Sequence, residues 1–168
     1  MSESVPDDVT IRPAETGDVG SLADLWVELA ADQRRYGSHL VSEKNRSAIR
    51  RTMLQHIVAE TALVARRDGS VVGFVTFDVE AGQYRQDVSR GIIRNIFVRD
   101  NDRNNGIGDG LLKTAEGALE YRGADVVALE AMAGNRRARQ FYRRCGYEPH
   151  RIELEKPINS DTQRENGE

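Results

Sequence analysis

The sequence predicts an α+β fold: a mixed, mostly antiparallel sheet with one parallel strand pair and helices packed against it. Three observations predict it. Residues 61–66 and 71–77 are apolar, β-branched runs joined by Arg67-Asp68-Gly69-Ser70, and Asp-Gly between such runs is a strong hairpin signal. Residues 90–98 form a third such run, which extends the hairpin into an antiparallel meander. A polar turn, a helix to about Tyr121 and another apolar run at 126–131 follow. A strand, helix, strand sequence of that length is a crossover, so its two strands are parallel.

The elements read as follows. Residues 1–8 are acidic and are expected to be a disordered tail. Val9-Thr10-Ile11-Arg12 is a first strand ended by Pro13. Asp18 is placed to cap a helix whose apolar stripe is Leu22, Leu25, Trp26 and Leu29. A polar link, 33–42, holds Tyr36, Gly37 and His39, and 47–59 is a second helix with Ile49, Met53, His56 and Ile57 on its stripe. After the meander, with its long polar loop at 80–89, and the crossover, Ala133-Gly134-Asn135 opens a last helix. Ala138, Phe141, Tyr142 and Cys145 form its apolar face, and Gly146 ends it. Alternation at 151–155 reads as a final strand, and 158–168 as a polar tail, leaving one domain over 9–157.

Composition narrows the function classes. A chain of 168 residues with 39% hydrophobic and 30% charged content is an ordinary globular domain. No apolar run approaches the ~20 residues that span a bilayer, and the N-terminus has no apolar signal-peptide core. A single cysteine, Cys145, fits a reducing cytoplasm. A net charge of −3 disfavours broad nucleic-acid binding. No membrane, nucleic-acid or metal partner is expected.

The informative stretch is the junction at 92–112. The strand ends at Val98, the turn runs Arg99 to Asn105, and the helix opens on Gly106, Ile107, Gly108, Asp109 and Gly110. A helix leaves its first N–H groups unpaired at the positive end of its dipole. Glycines there let an anion approach those amides, and phosphate oxygens suit the place. Arg103 adds a cation. The pattern has no Gly-Lys-Ser/Thr ending, so it is no P-loop, and its G-x-G-x-G spacing is not the dinucleotide fingerprint.

Arg103-Asn104-Asn105-Gly106-Ile107-Gly108 resembles the Arg/Gln-x-x-Gly-x-Gly/Ala signature of the GNAT superfamily of N-acetyltransferases, with Asp100 where proline is frequent. Asn135 to Tyr147 resembles the closing motif of the same family, Asn-x-x-Ala-x-x-Phe/Leu-Tyr-x-x-x-Gly-Phe/Tyr, at every defining position. The two motifs stand in the right order, and the resemblance covers residues 9 to about 156. It implies a three-layer α/β/α, acyl-CoA N-acyltransferase-like architecture whose parallel strand pair is splayed at a bulge. Acetyl-CoA is implied as co-substrate. Backbone groups of Ile96 and Val98 would hold the pantetheine arm and polarise the thioester, with the Val98 or Phe97 N–H as donor to the oxyanion. Amides from Asn104 through Asn105, Gly106, Ile107 and Gly108 to Asp109, with Arg103, would hold the pyrophosphate. The Asn135 side chain would bind the pantetheine or acetyl region.

In this resemblance Tyr142 sits near the thioester sulfur and supplies the leaving thiolate with a proton. The family often places a glutamate base on the strand before the loop; here that strand carries Arg90 and Arg94 instead. Glu130 is the base chosen, with Glu80, Asp87 or a water chain as alternatives. Tyr36 and His39 are candidates to touch the acceptor, a primary amine of a small molecule or a protein. A non-catalytic acyl-CoA sensor and a transferase for longer acyl groups are the alternatives, and a homodimer is left open.

Overall fold

The computed structural model describes residues 4–159. Five strands form one sheet in sequence order: β1 (Val9–Pro13), β2 (Ala62–Arg67), β3 (Ser70–Val79), β4 (Arg90–Val98) and β5 (Val126–Ala128). The first four pair antiparallel, and β4 and β5 pair parallel. Helices α1 (Val19–Arg34) and α2 (Arg46–Val58) cover one face. Helix α3 (Ile107–Tyr121) covers the other, and α4 (Arg136–Arg144) packs beside it. The α+β class, the mixed sheet and the three layers are those the sequence predicts.

Each face has its own core. Leu22, Leu25, Trp26, Leu29, Ile49 and Met53 pack on Val64, Phe74 and Phe97. Leu111, Leu112, Ala115 and Leu119 pack on Ala65, Val72, Val75 and Phe77 from the other side. Alternation along β3 sends Phe74 to one core and Val75 to the other, as a central strand requires. A large apolar side chain so buried contributes about 1.5–3 kcal/mol.

Four expectations are corrected. Residues 4–8 are not a loose tail. Val5 packs on α3 beside Ile11, Asp8 pairs with Arg67 at 2.9 Å, and a Cβ on Gly110 would run into Val5. The third glycine of the turn is therefore a packing requirement of the N-terminal segment. Residues 1–3 and 160–168 lie outside the described residues. Asp18 does not cap α1: its carboxylate accepts from Glu15 N–H at 2.8 Å, in the preceding turn, and pairs with Arg66. Strand β5 stops at Ala128, three residues short of the expected end.

The fourth correction is the final strand. Residues 151–155 form none, and Ile152 and Leu154 are exposed. Alternation is only a necessary sign; a strand exists through its ladder. Among the described residues no backbone hydrogen bond joins 148–159 to the sheet. A side-chain bond from His39 Nε2 to Glu155 Oε1 at 2.8 Å ties this stretch to the α1–α2 link.

Asp18 is the costliest polar group to disturb, being 2% exposed and pinned by Arg66. Removing one partner of a buried pair strands the other. Asp18→Ala is expected to lower unfolding stability by about 3 kcal/mol in denaturant titrations.

Candidate functional site

The site begins with a failure of pairing. Strand β4 pairs with β5 only at Arg90, Gly91 and Ile92, opposite Val126, Val127 and Ala128. Past that point its register with β3 slips: Phe77 faces Ile93, Thr76 faces Asn95, and Arg94 is the extra residue of a bulge. A bulge bends and twists its strand. The two parallel strands therefore part where the bulge sits, and the edge of β4 from Ile93 onward has no neighbour on that side.

That edge supplies backbone groups. Arg99 N–H bonds to Val72 O across β3 at 2.9 Å. Antiparallel strands alternate their bonding direction, so the N–H groups of Val98 and Ile96 face the open side. The carbonyl of Val98 also faces it and accepts from Arg103 Nε at 2.7 Å.

At the end of β4 the chain turns through two left-handed residues, Asn104 (φ 64°) and Gly106 (φ 79°). Asparagine and glycine are the residues that tolerate this. The first hydrogen bond of α3 runs from Gly110 N–H to Gly106 O at 3.0 Å. The amides of Ile107 and Gly108 precede it and emerge from the positive end of the helix.

The split, the turn and α4 enclose a cleft of about 1160 Å³. Of the residues chosen from sequence, Ile96, Phe97, Val98, Arg103, Asn104, Gly106, Ile107, Gly108, Asp109, Glu130, Asn135 and Tyr142 line it. Asn105, exposed on the turn, does not. Tyr36 lines the cleft, whereas His39 turns to Glu155. His56 is half-buried, bonded to Thr61 Oγ1 at 2.7 Å, and held below its usual pKa by burial. Glu80 is tied within its own loop to Gln86 and Arg90.

Two side chains have jobs other than those expected. Arg103 closes the turn: beyond Val98 O it pairs with Asp100 at 2.7 Å and lies over the Phe97 ring. Its charge is engaged before any ligand arrives. Arg137, Lys113 and Arg144 are the other cations that line this end. Arg137 reaches Asn104 Oδ1 at 3.1 Å, joining α4 to the turn. Asn135 is the N-cap of α4, its Oδ1 accepting from Ala138 N–H at 3.1 Å. Only its Nδ2 remains for a ligand.

Tyr142 stands on the inner face of α4, between Phe141 and Tyr147, at ring-centroid distances of 5.3 and 6.1 Å. Burial, reinforced by the neighbouring Cys145, pushes its phenol up to about 12. Beneath it Tyr147 donates to Glu116 at 2.9 Å, and Cys145 contacts Asp109 at 3.7 Å. Burial and Asp109 push the Cys145 thiol up to about 11, so it is a neutral wall of the cleft.

Beside Tyr36, the far wall is made of residues the sequence did not single out as site residues. Leu29, Asp32, Gln33 and Arg35, from the last turn of α1 and the residue after it, line the cleft opposite α4. Met132 and Gly134 lie against Gly37 and Tyr36. The cleft thus passes through the split from the α3/α4 face to the α1 face. The turn end carries the α3 amides with Arg103, Lys113, Arg137 and Arg144 among the carboxylates of Asp100, Asp102, Asp109 and Glu116; the other end holds Glu130, Tyr36, Asp32 and Arg35.

Comparison with known proteins identifies the family and the fold. The sequence model of the Acetyltransferase (GNAT) family matches residues 43–147. An uncharacterized N-acetyltransferase from Methanocaldococcus jannaschii is 33% identical over 90 residues, a match covering 53% of each chain. The aligned region thus spans about half the length of that relative. A GCN5-related N-acetyltransferase from Ralstonia eutropha superposes with a TM-score of 0.70 at 24% identity, covering 89% of this chain and 98% of the other. A predicted acetyltransferase from Clostridium acetobutylicum, solved with acetyl-CoA, gives 0.70 at 17% identity over 89% and 96%. No helix among the described residues is long and apolar enough to cross a membrane.

Proposed function

Because this chain belongs to the GNAT family of acetyltransferases, we propose that it is an N-acetyltransferase moving the acetyl group of acetyl-CoA directly to a primary amine. The observation that carries the reading is the cleft at the parted strands, lined on one side by the first amides of α3 with Arg137 and Arg144 and reaching Glu130 and Tyr36 on the other. The donor set fits acetyl-CoA. The Ile107 and Gly108 amides, with Arg137 and Arg144 nearby, suit a pyrophosphate. The open edge of β4 offers N–H groups to an amide-bearing arm, as a neighbouring strand would.

The chemistry then assigns roles. The Val98 N–H stabilises the oxygen that gains charge when the amine attacks. Tyr142 keeps its proton and gives it, or a hydrogen bond, to the departing thiolate. Glu130, exposed at the cleft rim with no side-chain hydrogen bond among the described residues, takes the proton of the acceptor amine directly or through water. Asn135 Nδ2 orients the arm that enters beside α4.

The raised phenol pKa fixes the pH profile. Tyr142 works in its protonated form, and a raised pKa extends that form upward. Activity should therefore rise with pH as the acceptor loses its proton. It should show no alkaline fall below about pH 10, the unperturbed phenol value. A kcat/KM profile in overlapping buffers tests this; a fall near pH 8 would remove Tyr142 from the role.

A further inference from the structure

Arg94 lies on β4, the strand that runs into the turn before α3. It is the extra residue of the β4 bulge, at the point where β4 and β5 part. Asp78 grips one side of its guanidinium: Nε and Nη2 donate to the two carboxylate oxygens, each at 3.1 Å. A guanidinium has a second flat edge, formed by Nη1 and the other Nη2 hydrogen. That edge has no partner among the described residues, and the side chain is 50% exposed.

Phe74, Thr76 and Asp78 share one face of β3, and Phe74 packs against α1 and α2. Asp78 and the arginine it grips therefore lie on the α1/α2 side of the sheet. This is the side where Asp32, Gln33, Arg35 and Tyr36 line the cleft; Arg94 and Asp78 stand at the bulge beside it and are not themselves part of its lining. Asp78 and Glu80 act on the Arg94 charge more strongly than Glu130, with which it forms no ion pair. An oriented cation thus stands where the two parallel strands part, on the α1/α2 side of the sheet.

Resting on the acetyl-transfer reading, we infer that Arg94 determines acceptor specificity by binding a carboxylate of the acceptor, so that the substrate is a small amine that also carries a carboxylate. The free guanidinium edge takes that carboxylate in the same forked geometry Asp78 uses on the other edge. The amine of the same molecule then lies toward Glu130. Asp78 acts as a positioning residue: it freezes the long side chain before the acceptor arrives, which reduces the ordering cost of binding.

The test compares standard amino acids with their carboxamides, and putrescine as a carboxylate-free amine, by thiol release from acetyl-CoA. The wild-type protein should prefer the best amino acid to its carboxamide by about 10-fold or more in kcat/KM, because a carboxamide leaves the forked donors poorly matched. In Arg94→Met that preference should fall toward parity, the loss appearing in the KM of the amino acid. Arg94→Lys, which keeps the charge without the fork, should fall between. Retained calorimetric binding of acetyl-CoA reports that each variant is folded. A wild-type preference for putrescine or carboxamides, or a preference that survives Arg94→Met, would overturn the inference and leave acetyl transfer standing. No thiol release with any amine would overturn both.

Discussion

Tyr142→Phe should lower kcat by about 100-fold or more, with the acetyl-CoA dissociation constant changed by no more than about threefold. The size follows from what the hydroxyl does and what the ring does. The ring packs against Phe141 and Tyr147, and phenylalanine keeps that packing. The hydroxyl faces the cleft, bound to no protein group among the described residues, and burial keeps it protonated. Its loss removes a proton donor from the step in which a thiolate leaves, while the fold and the anion site persist. Steady-state kinetics beside isothermal calorimetry separate the two effects. An unchanged kcat would make Tyr142 a wall of the cleft.

Gly108→Asp should weaken acetyl-CoA binding by about 100-fold or more. Gly108 sits in the first turn of α3, where the unpaired amides and the helix dipole favour an anion. An aspartate there places a fixed negative charge in the space proposed for the pyrophosphate. Gly108→Ala is the matched control. Its Cβ would lie 3.5 Å from Phe141, an ordinary contact, so the protein itself accepts the methyl group. Binding that survives the aspartate would move the phosphates away from this helix terminus.

The parts of the site visible in the sequence are those where backbone geometry dictates residue type. Gly106 is needed for a left-handed turn, and Asn135 for a cap, so both leave marks that a single sequence retains. The crossover at 90–128 was legible for a similar reason: a buried strand and an amphipathic helix have distinct periods. Side-chain partnerships left no such mark. Arg103, Arg137 and Arg144 are alike in sequence, yet one closes the turn while the other two line the cleft without that duty. Whether an arginine meets a ligand depends on what else it meets first.

The α1 wall was hidden because Asp32, Gln33 and Arg35 look like the solvated end of an amphipathic helix; only the position of β5 and the stretch after it shows what they face. Residues 151–155 failed in the opposite direction. Their alternation fits a strand, but β5 is three residues long and no ladder forms on it. Gly110 carries no mark of its role either: its lack of a Cβ is required by Val5 and Ile11, which are far away in sequence.

The most direct measurement is acetyl-CoA thiol release by the wild-type chain across amino acids, polyamines, aminoglycosides and peptides with free N-termini. Mass spectrometry of the acceptor should accompany it. Amine-dependent release, with one acetyl group found on the acceptor nitrogen, is the predicted result. Calorimetric binding of acetyl-CoA with no acetylated product from any amine would contradict transfer and leave a protein that holds the coenzyme without using it.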